Sequence, residues 1–127
     1  MRPINIVLAH RDPALTENLA RSIQHQFHTV ATAHCLTEIR DTIARHRTPL
    51  AIVDLELVNF DELGELCREF PATAFVCVHR LADDVMWSRS LSLGAGDCCL
   101  ASEVATVVQS SDRYVALQKQ AQTISAA

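Results

Sequence analysis

Apolar and polar positions follow two rhythms along this chain, and the rhythms take turns. Residues 4–9 (INIVLA) are an unbroken apolar run, the pattern of a strand covered on both faces. Asp12 and Pro13 follow as an N-cap and a first-turn proline. Leu15, Leu19, Ile23 and Phe27 then recur at helical spacing, as the buried stripe of a helix must. Residues 29–33 (TVATA) predict a second strand. Leu36, Ile39 and Ile43 predict a second helix that ends near His46, ahead of Pro49.

Residues 50–53 (LAIV) predict a third strand closed by Asp54, and Leu63, Leu66, Cys67 and Phe70 a third helix stopped by Pro71. Residues 74–78 (AFVCV) predict a fourth strand. A fourth helix spans about 83–93 and stops at Gly94, which is suited to a left-handed cap. Residues 97–100 (DCCL) predict a fifth strand. Ser102 is placed to cap a last helix carrying Val104, Val107, Val108 and Val115. Residues 118–127 (QKQAQTISAA) are polar and expected to fray.

Five strand–helix units in series predict one α/β domain over residues 1–127, with its core at about 4–117: a five-stranded parallel sheet, doubly wound, in the order 2-1-3-4-5. In that order the crevice lies at the carboxyl ends of strands 1, 3 and 4. Those ends carry His10, Arg11 and Asp12, then Asp54, then His79 and Arg80.

The fourth helix has two apolar stripes, Met86 with Leu93 near Val85, and Trp87 with Leu91 on another side. One can face the sheet; the other is expected to be partly exposed. That makes Trp87 and Leu91 candidate partner-binding residues, with simple cover of the sheet edge as the competing role.

Length and composition fit this picture. The chain has 127 residues and a formal charge of −4, which argues against nucleic-acid binding by the domain as a whole. No apolar run is long enough to span a membrane, and the first apolar stretch, short and ending in charges, reads as a strand rather than a leader. The cytoplasm is the expected address. The five cysteines, Cys35, Cys67, Cys77, Cys98 and Cys99, show no zinc-site spacing. Most fall in apolar segments, as reduced thiols acting as small hydrophobes do. Cys98 and Cys99 should point to opposite sides of their strand. His25, His28, His34 and His46 show no ligand spacing and are expected at the surface.

Enzymatic chemistry finds little foothold. With three glycines the chain has no GxGxxG, no Walker loop, no GxSxG elbow, and no DxHxxG of the cobalamin type. No cofactor is expected.

Three segments resemble the receiver domains of bacterial response regulators. They are IVLAHRDPAL, then IVDLELVNFDEL with Asp54 at the phosphoacceptor position, then FVCVHR through LGAGDCCLAS, where Gly94, Ala95 and Asp97 fit the family's GAxDYLxKP-like ending. The resemblance runs from about residue 4 to about 117. It implies two-component signalling or a phosphorelay, a histidine kinase or other signalling protein as partner, and a common partner or homodimer face on helix 4, strand 5 and helix 5.

The departures fall on the chemistry. The family's carboxylate pair for Mg²⁺ is replaced by His10 and Arg11, while Asp12 is committed to the helix cap. Its Ser or Thr after strand 4 is His79, and its Lys after strand 5 is Ala101. Without those groups, charge on a transferring phosphoryl group goes unbalanced. The expectation is an atypical receiver acting by protein contact, with phosphorylation of Asp54 lost. Arg11, or otherwise Arg80, is expected to sit against the Asp54 carboxylate in place of metal and Lys. One alternative keeps Asp54 as a working acceptor. Another is a small metal sensor built on His10, Asp54 and His79.

Overall fold

The computed structural model describes residues 5–24 and 29–126, with side chains through residue 118. The strands are β1 (Ile6–Ala9), β2 (Val30–Ala33), β3 (Leu50–Asp54), β4 (Ala74–His79) and β5 (Asp97–Leu100). They form one sheet in the order β2-β1-β3-β4-β5, with every neighbouring pair parallel. The order expected from the sequence is the one observed.

Strand alternation divides the core. Val7, Ala9, Ala51, Val53, Phe75, Cys77 and Cys98 enter one buried cluster with Ile39, Ile43, Leu63 and Leu66. Ile6, Leu8, Leu50, Ile52, Val76, Val78 and Cys99 enter the other with Leu19, Ile23, Val107 and Val115. Cys98 and Cys99 thus lie on opposite faces. A strand sandwiched between two helical layers has no polar side, which is why β1, β3 and β4 read as continuous apolar runs.

The helices are α1 (Pro13–Gln24), α2 (Leu36–His46), α3 (Phe60–Glu69), α4 (Asp84–Ser92) and α5 (Val104–Ala126). Asp12 caps α1, its Oδ1 accepting from the N–H groups of Ala14 at 3.0 Å and Leu15 at 3.4 Å. Asn59 and Glu62 form a reciprocal capping box on α3. Gly94 takes φ 113°, the left-handed region expected of it.

α5 differs from expectation at both ends. It starts at Val104, where the Glu103 carbonyl accepts from the Val107 N–H, so Ser102 stands one residue too early to cap it. It also runs as helix to Ala126, past the core end expected at about residue 117; the polar tail contains no helix breaker. Ile4, His25, Phe27 and His28 lie outside the described residues.

Two local features fix the β5 edge. The buried side of α4 is Met86, Ser90 and Leu93; Met86 and Leu93 pack on the core and Ser90 is fully enclosed. Tyr114 of α5 donates its hydroxyl to the Gly96 carbonyl at 2.8 Å, and its ring fills the space that a Cβ at Gly96 would need.

Candidate functional site

The carboxyl ends of β1, β3 and β4 bring together most of the residues singled out in the sequence. His10, Arg11, Asp12, Asp54, Arg80 and Ala101 line one small cavity of about 150 Å³, joined by Leu15 and Glu56. His79 stands beside it, next to Glu56.

Asp54 is almost fully enclosed, at 2% exposure. Its Oδ1 accepts from the Glu56 N–H at 2.8 Å and its Oδ2 from the Arg11 N–H at 3.1 Å. The first bond is an Asx turn, the short local closure that aspartate makes with the backbone two residues on. The Asp54 carbonyl also accepts from the N–H groups of Leu57 and Val58. Backbone dipoles therefore answer this carboxylate.

The arginines do not. Arg11 places Nη2 2.9 Å from Glu56 Oε2, and Arg80 places Nε 2.7 Å from Glu56 Oε1. Neither guanidinium makes an ion pair with Asp54, so the counter-ion arrangement expected from the sequence is wrong. The physical reason is geometric. Glu56, in the loop after β3, is itself largely covered, but Arg11 and Arg80 reach it from the ends of β1 and β4 with their own side chains still mostly in water. Asp54 sits below, already satisfied. Glu56 is the residue that sequence reasoning missed. The available signal was an acid two positions past the strand end, between two arginines in need of a partner.

The histidines are engaged locally. His10 Nδ1 accepts from the Asp12 N–H at 2.9 Å, and His79 Nδ1 accepts from the Leu81 N–H at 2.9 Å. An Nδ1 that accepts carries no proton. The 3.5 Å approach of His10 Nδ1 to Asp54 Oδ2 is therefore a contact of lone pairs rather than an ion pair. In His79 the proton falls on Nε2, 3.5 Å from Glu56 Oε1. The metal-binding alternative loses its donors by this geometry. Among the described residues, no group of three His, Cys, Asp or Glu side chains is placed to hold a metal ion.

The Mg²⁺ implied by the receiver resemblance does not fit these residues. A hard cation needs carboxylate oxygens. His10 and Arg11 stand at the positions of the acidic pair, Asp12 Oδ1 holds the start of α1, and both oxygens of Asp54 accept backbone N–H groups. On the anion side, Ala101 supplies no cation; it is buried, with its N–H on the His79 carbonyl.

Trp87 and Leu91 lie outside the crevice. Trp87 is 47% exposed and Leu91 is partly covered. The thiols are all free: Cys35 is exposed, Cys67 half-buried, and Cys77, Cys98 and Cys99 buried. Burial pushes the Cys77, Cys98 and Cys67 thiols above their ordinary range. Cys99 is pushed up to about 12, first by burial and then by the adjacent Asp97 carboxylate.

With this geometry in hand, the chain is similar to many solved receiver domains. A response regulator receiver domain protein (CheY-like) from Methanospirillum hungatei JF-1 matches with a TM-score of 0.78 at 16% identity, over 94% of this chain and 98% of that one. The BeF3-activated N-terminal receiver domain of Klebsiella pneumoniae RstA matches with a TM-score of 0.77 at 21% identity, over 87% of this chain and 97% of that one. A response regulator from Burkholderia pseudomallei, solved with a phosphorylated aspartic acid, calcium ion and citrate, matches with a TM-score of 0.75 at 16% identity, over 95% of this chain and 74% of that one. No family model and no curated protein matches the sequence. The likeness is one of fold: the chain has the five-stranded, flavodoxin-like architecture of receiver domains.

Proposed function

We propose that this chain is a receiver-type domain of two-component signalling that works by protein contact, with Asp54 retained as a structural residue rather than a phosphoacceptor. The observation that carries this is the double engagement of the Asp54 carboxylate by the N–H groups of Arg11 and Glu56, beneath a Glu56 carboxylate held by Arg11 and Arg80. Phosphoryl transfer to a carboxylate needs a free oxygen and a cation to offset the incoming charge. In this crevice both Asp54 oxygens accept backbone bonds, and the neighbouring carboxylates are engaged elsewhere, Asp12 at the start of α1 and Glu56 by two arginines. Its chemistry is binding rather than catalysis.

The partner is a histidine kinase or another signalling protein, and the setting is the cytoplasm. In support, no helix among the described residues is long and apolar enough to cross a membrane. Intact-mass measurement after incubation with acetyl phosphate and Mg²⁺ tests the proposal. The expected result is an unchanged mass. A stoichiometric phosphoryl adduct that disappears in Asp54→Ala would restore the alternative, a working phosphoacceptor.

A further inference from the structure

A cleft of about 530 Å³ opens between the last turns of α2 and α3, beside the residues that lead into β3 and β4. It is larger than the Asp54 cavity and stands at the opposite end of those strands. Ile43, Phe70 and Pro71 give it apolar walls; Arg47, Thr48, Glu69 and Thr73 are its polar groups. Mostly apolar walls with a few polar groups, in roughly 300–1,000 Å³, are the make-up of small-molecule sites.

Two of the four polar groups are already engaged. Glu69 Oε2 accepts from Arg40 Nε at 3.1 Å, and the Thr73 hydroxyl donates to the Thr48 carbonyl at 2.8 Å. The other two, neighbours in the chain, are not. Thr48 is 1% exposed, and its Oγ1 has no hydrogen-bond partner. A buried hydroxyl in that state is destabilising unless something outside the chain answers it. Arg47 makes no ion pair among the described residues.

The backbone at Arg47 is strained. The residue closes α2 at φ 50° and ψ 49°, and it is the one non-glycine residue of positive φ among the described residues. Glycine or asparagine usually fills such a cap, because a Cβ crowds the next carbonyl in the left-handed region. The helix end does not call for another cation either, since Arg45 and His46 already stand in the last turn of α2. What arginine adds here is a guanidinium on the cleft. The walls around it are fixed by main-chain bonds: Arg47 N–H to the Ile43 carbonyl at 2.7 Å, Thr73 N–H to the Phe70 carbonyl at 3.1 Å, and Ala74 N–H to the Pro49 carbonyl at 2.9 Å.

An unpaired guanidinium selects an anion, and a hydroxyl beside it can donate to the same oxygens. The apolar walls select a body that leaves water for them. Inorganic phosphate has no such body, and a polyphosphate carries more charge than one arginine beside Glu69 can balance.

We infer that this cleft binds a small organic carboxylate with an apolar body, the carboxylate on the Arg47 guanidinium and the Thr48 hydroxyl, the body along Ile43, Phe70 and Pro71. The site goes beyond the protein-contact function proposed above and does not rest on it. It also lies away from the carboxyl ends of the strands, where ligands of this architecture ordinarily bind.

The probes are benzoate, phenylacetate and isovalerate, each with its primary amide as the neutral counterpart, and acetate as the carboxylate without a body. Amide proton–nitrogen chemical shifts of the isotope-labelled chain read both place and affinity. At least one of the three acids is expected to saturate with a Kd below about 5 mM, moving the amides of Ala44, Arg47, Phe70 and Ala72 first. Its amide and acetate should bind about tenfold more weakly, for want of the charge or of the body. Arg47→Gly suits the left-handed backbone, so the fold should stand; it should lower the affinity for the acid by about tenfold and leave that for the amide unchanged. Thr48→Val keeps the shape of the side chain without the hydroxyl and should weaken the acid by about threefold or more.

The inference is overturned if none of the three acids saturates below that limit, or if acid and amide bind alike. It is also overturned if either variant leaves the affinity for the acid unchanged, or if the shifts gather at the Asp54 crevice instead. None of these outcomes bears on the mass measured after acetyl phosphate, so the two proposals fail separately.

Discussion

Arg11 meets Asp54 through its backbone and turns its side chain elsewhere. The N–H donates to Asp54 Oδ2 at 3.1 Å, while Nη2 lies 2.9 Å from Glu56 Oε2. The two functions of the residue are thus separable. The main-chain bond closes the end of β1 onto the end of β3, and the guanidinium, 57% exposed, ties the loop after β3 to the rim.

That division sets the order of mutational costs. Arg11→Ala keeps the N–H bond and loses only an exposed ion pair, so it should cost less than about 1 kcal/mol. Glu56→Ala removes the shared partner of Arg11, Arg80 and His79 and should cost about 1–2 kcal/mol, held down by solvent around both guanidinium groups. Urea denaturation measures both. A larger loss in Arg11→Ala than in Glu56→Ala would contradict the bonding seen here.

His10 is enclosed at 8% exposure, and its Nδ1 accepts the Asp12 N–H. The expected neutral form carries its proton on Nε2, which long-range proton–nitrogen NMR of the imidazole reads directly. Asparagine can offer an oxygen near the place of Nδ1 and close the same local turn. Hence His10→Asn should retain most of the stability, while His10→Ala should lose about 1–3 kcal/mol by stranding the N–H and leaving a void. Equal losses in the two variants would show that the acceptor is unimportant.

The thiols make a pH prediction with a definite sign. The ordinary thiol value is 9.0, and in the fold Cys99 rises to about 12, with Cys67, Cys77 and Cys98 also raised. Between those limits the unfolded chain loses thiol protons that the folded chain keeps. Stability is therefore fully present below about pH 8.5 and falls as pH rises toward the folded values, by at most about 1.4 kcal/mol per unit per buried thiol. Replacing Cys77, Cys98 and Cys99 by Ala, Val or Ser in combination should flatten that decline. At pH 8 a thiol reagent should label the exposed Cys35 quickly and the three buried thiols only as fast as the protein opens. Rapid labelling of four or five thiols in the folded state would refute this.

Ser90 should be improvable. It is fully buried, and its Oγ has no hydrogen-bond partner of acceptable geometry. It lies against the Cys77 and Cys98 thiols and opposes the rise in each, but sulfur is a weak partner and does not replace a proper acceptor. Ser90→Ala removes an unsatisfied group with little change in volume and should raise stability by about 0.5–2 kcal/mol. A loss of stability would mean that the hydroxyl–thiol contacts are stronger than their geometry implies.

The fold was legible because its determinants are local and repeated. Apolar runs at β1, β3 and β4, Asp12-Pro13 at the start of α1 and Gly94 after α4 each specify their element independently. The crevice was legible as a place for the same reason: the strand order puts the ends of β1, β3 and β4 together. The partners inside it were not. Assigning Arg11 and Arg80 to Asp54 took charge alone as the guide. The choice between Asp54 and Glu56 turned on which carboxylate the backbone already satisfies, and that follows from how the loops leave β1 and β3. The Tyr114–Gly96 contact was equally hidden, since it joins residues 18 positions apart on different elements.

The phenol of Tyr114, bonded to the Gly96 carbonyl and seated where a Cβ would stand, rivets α5 to the entry of β5. Any motion that parts α5 from the sheet must therefore break that bond and open a void at Gly96 in the same step, which ties the opening of the helix to the opening of the β5 edge.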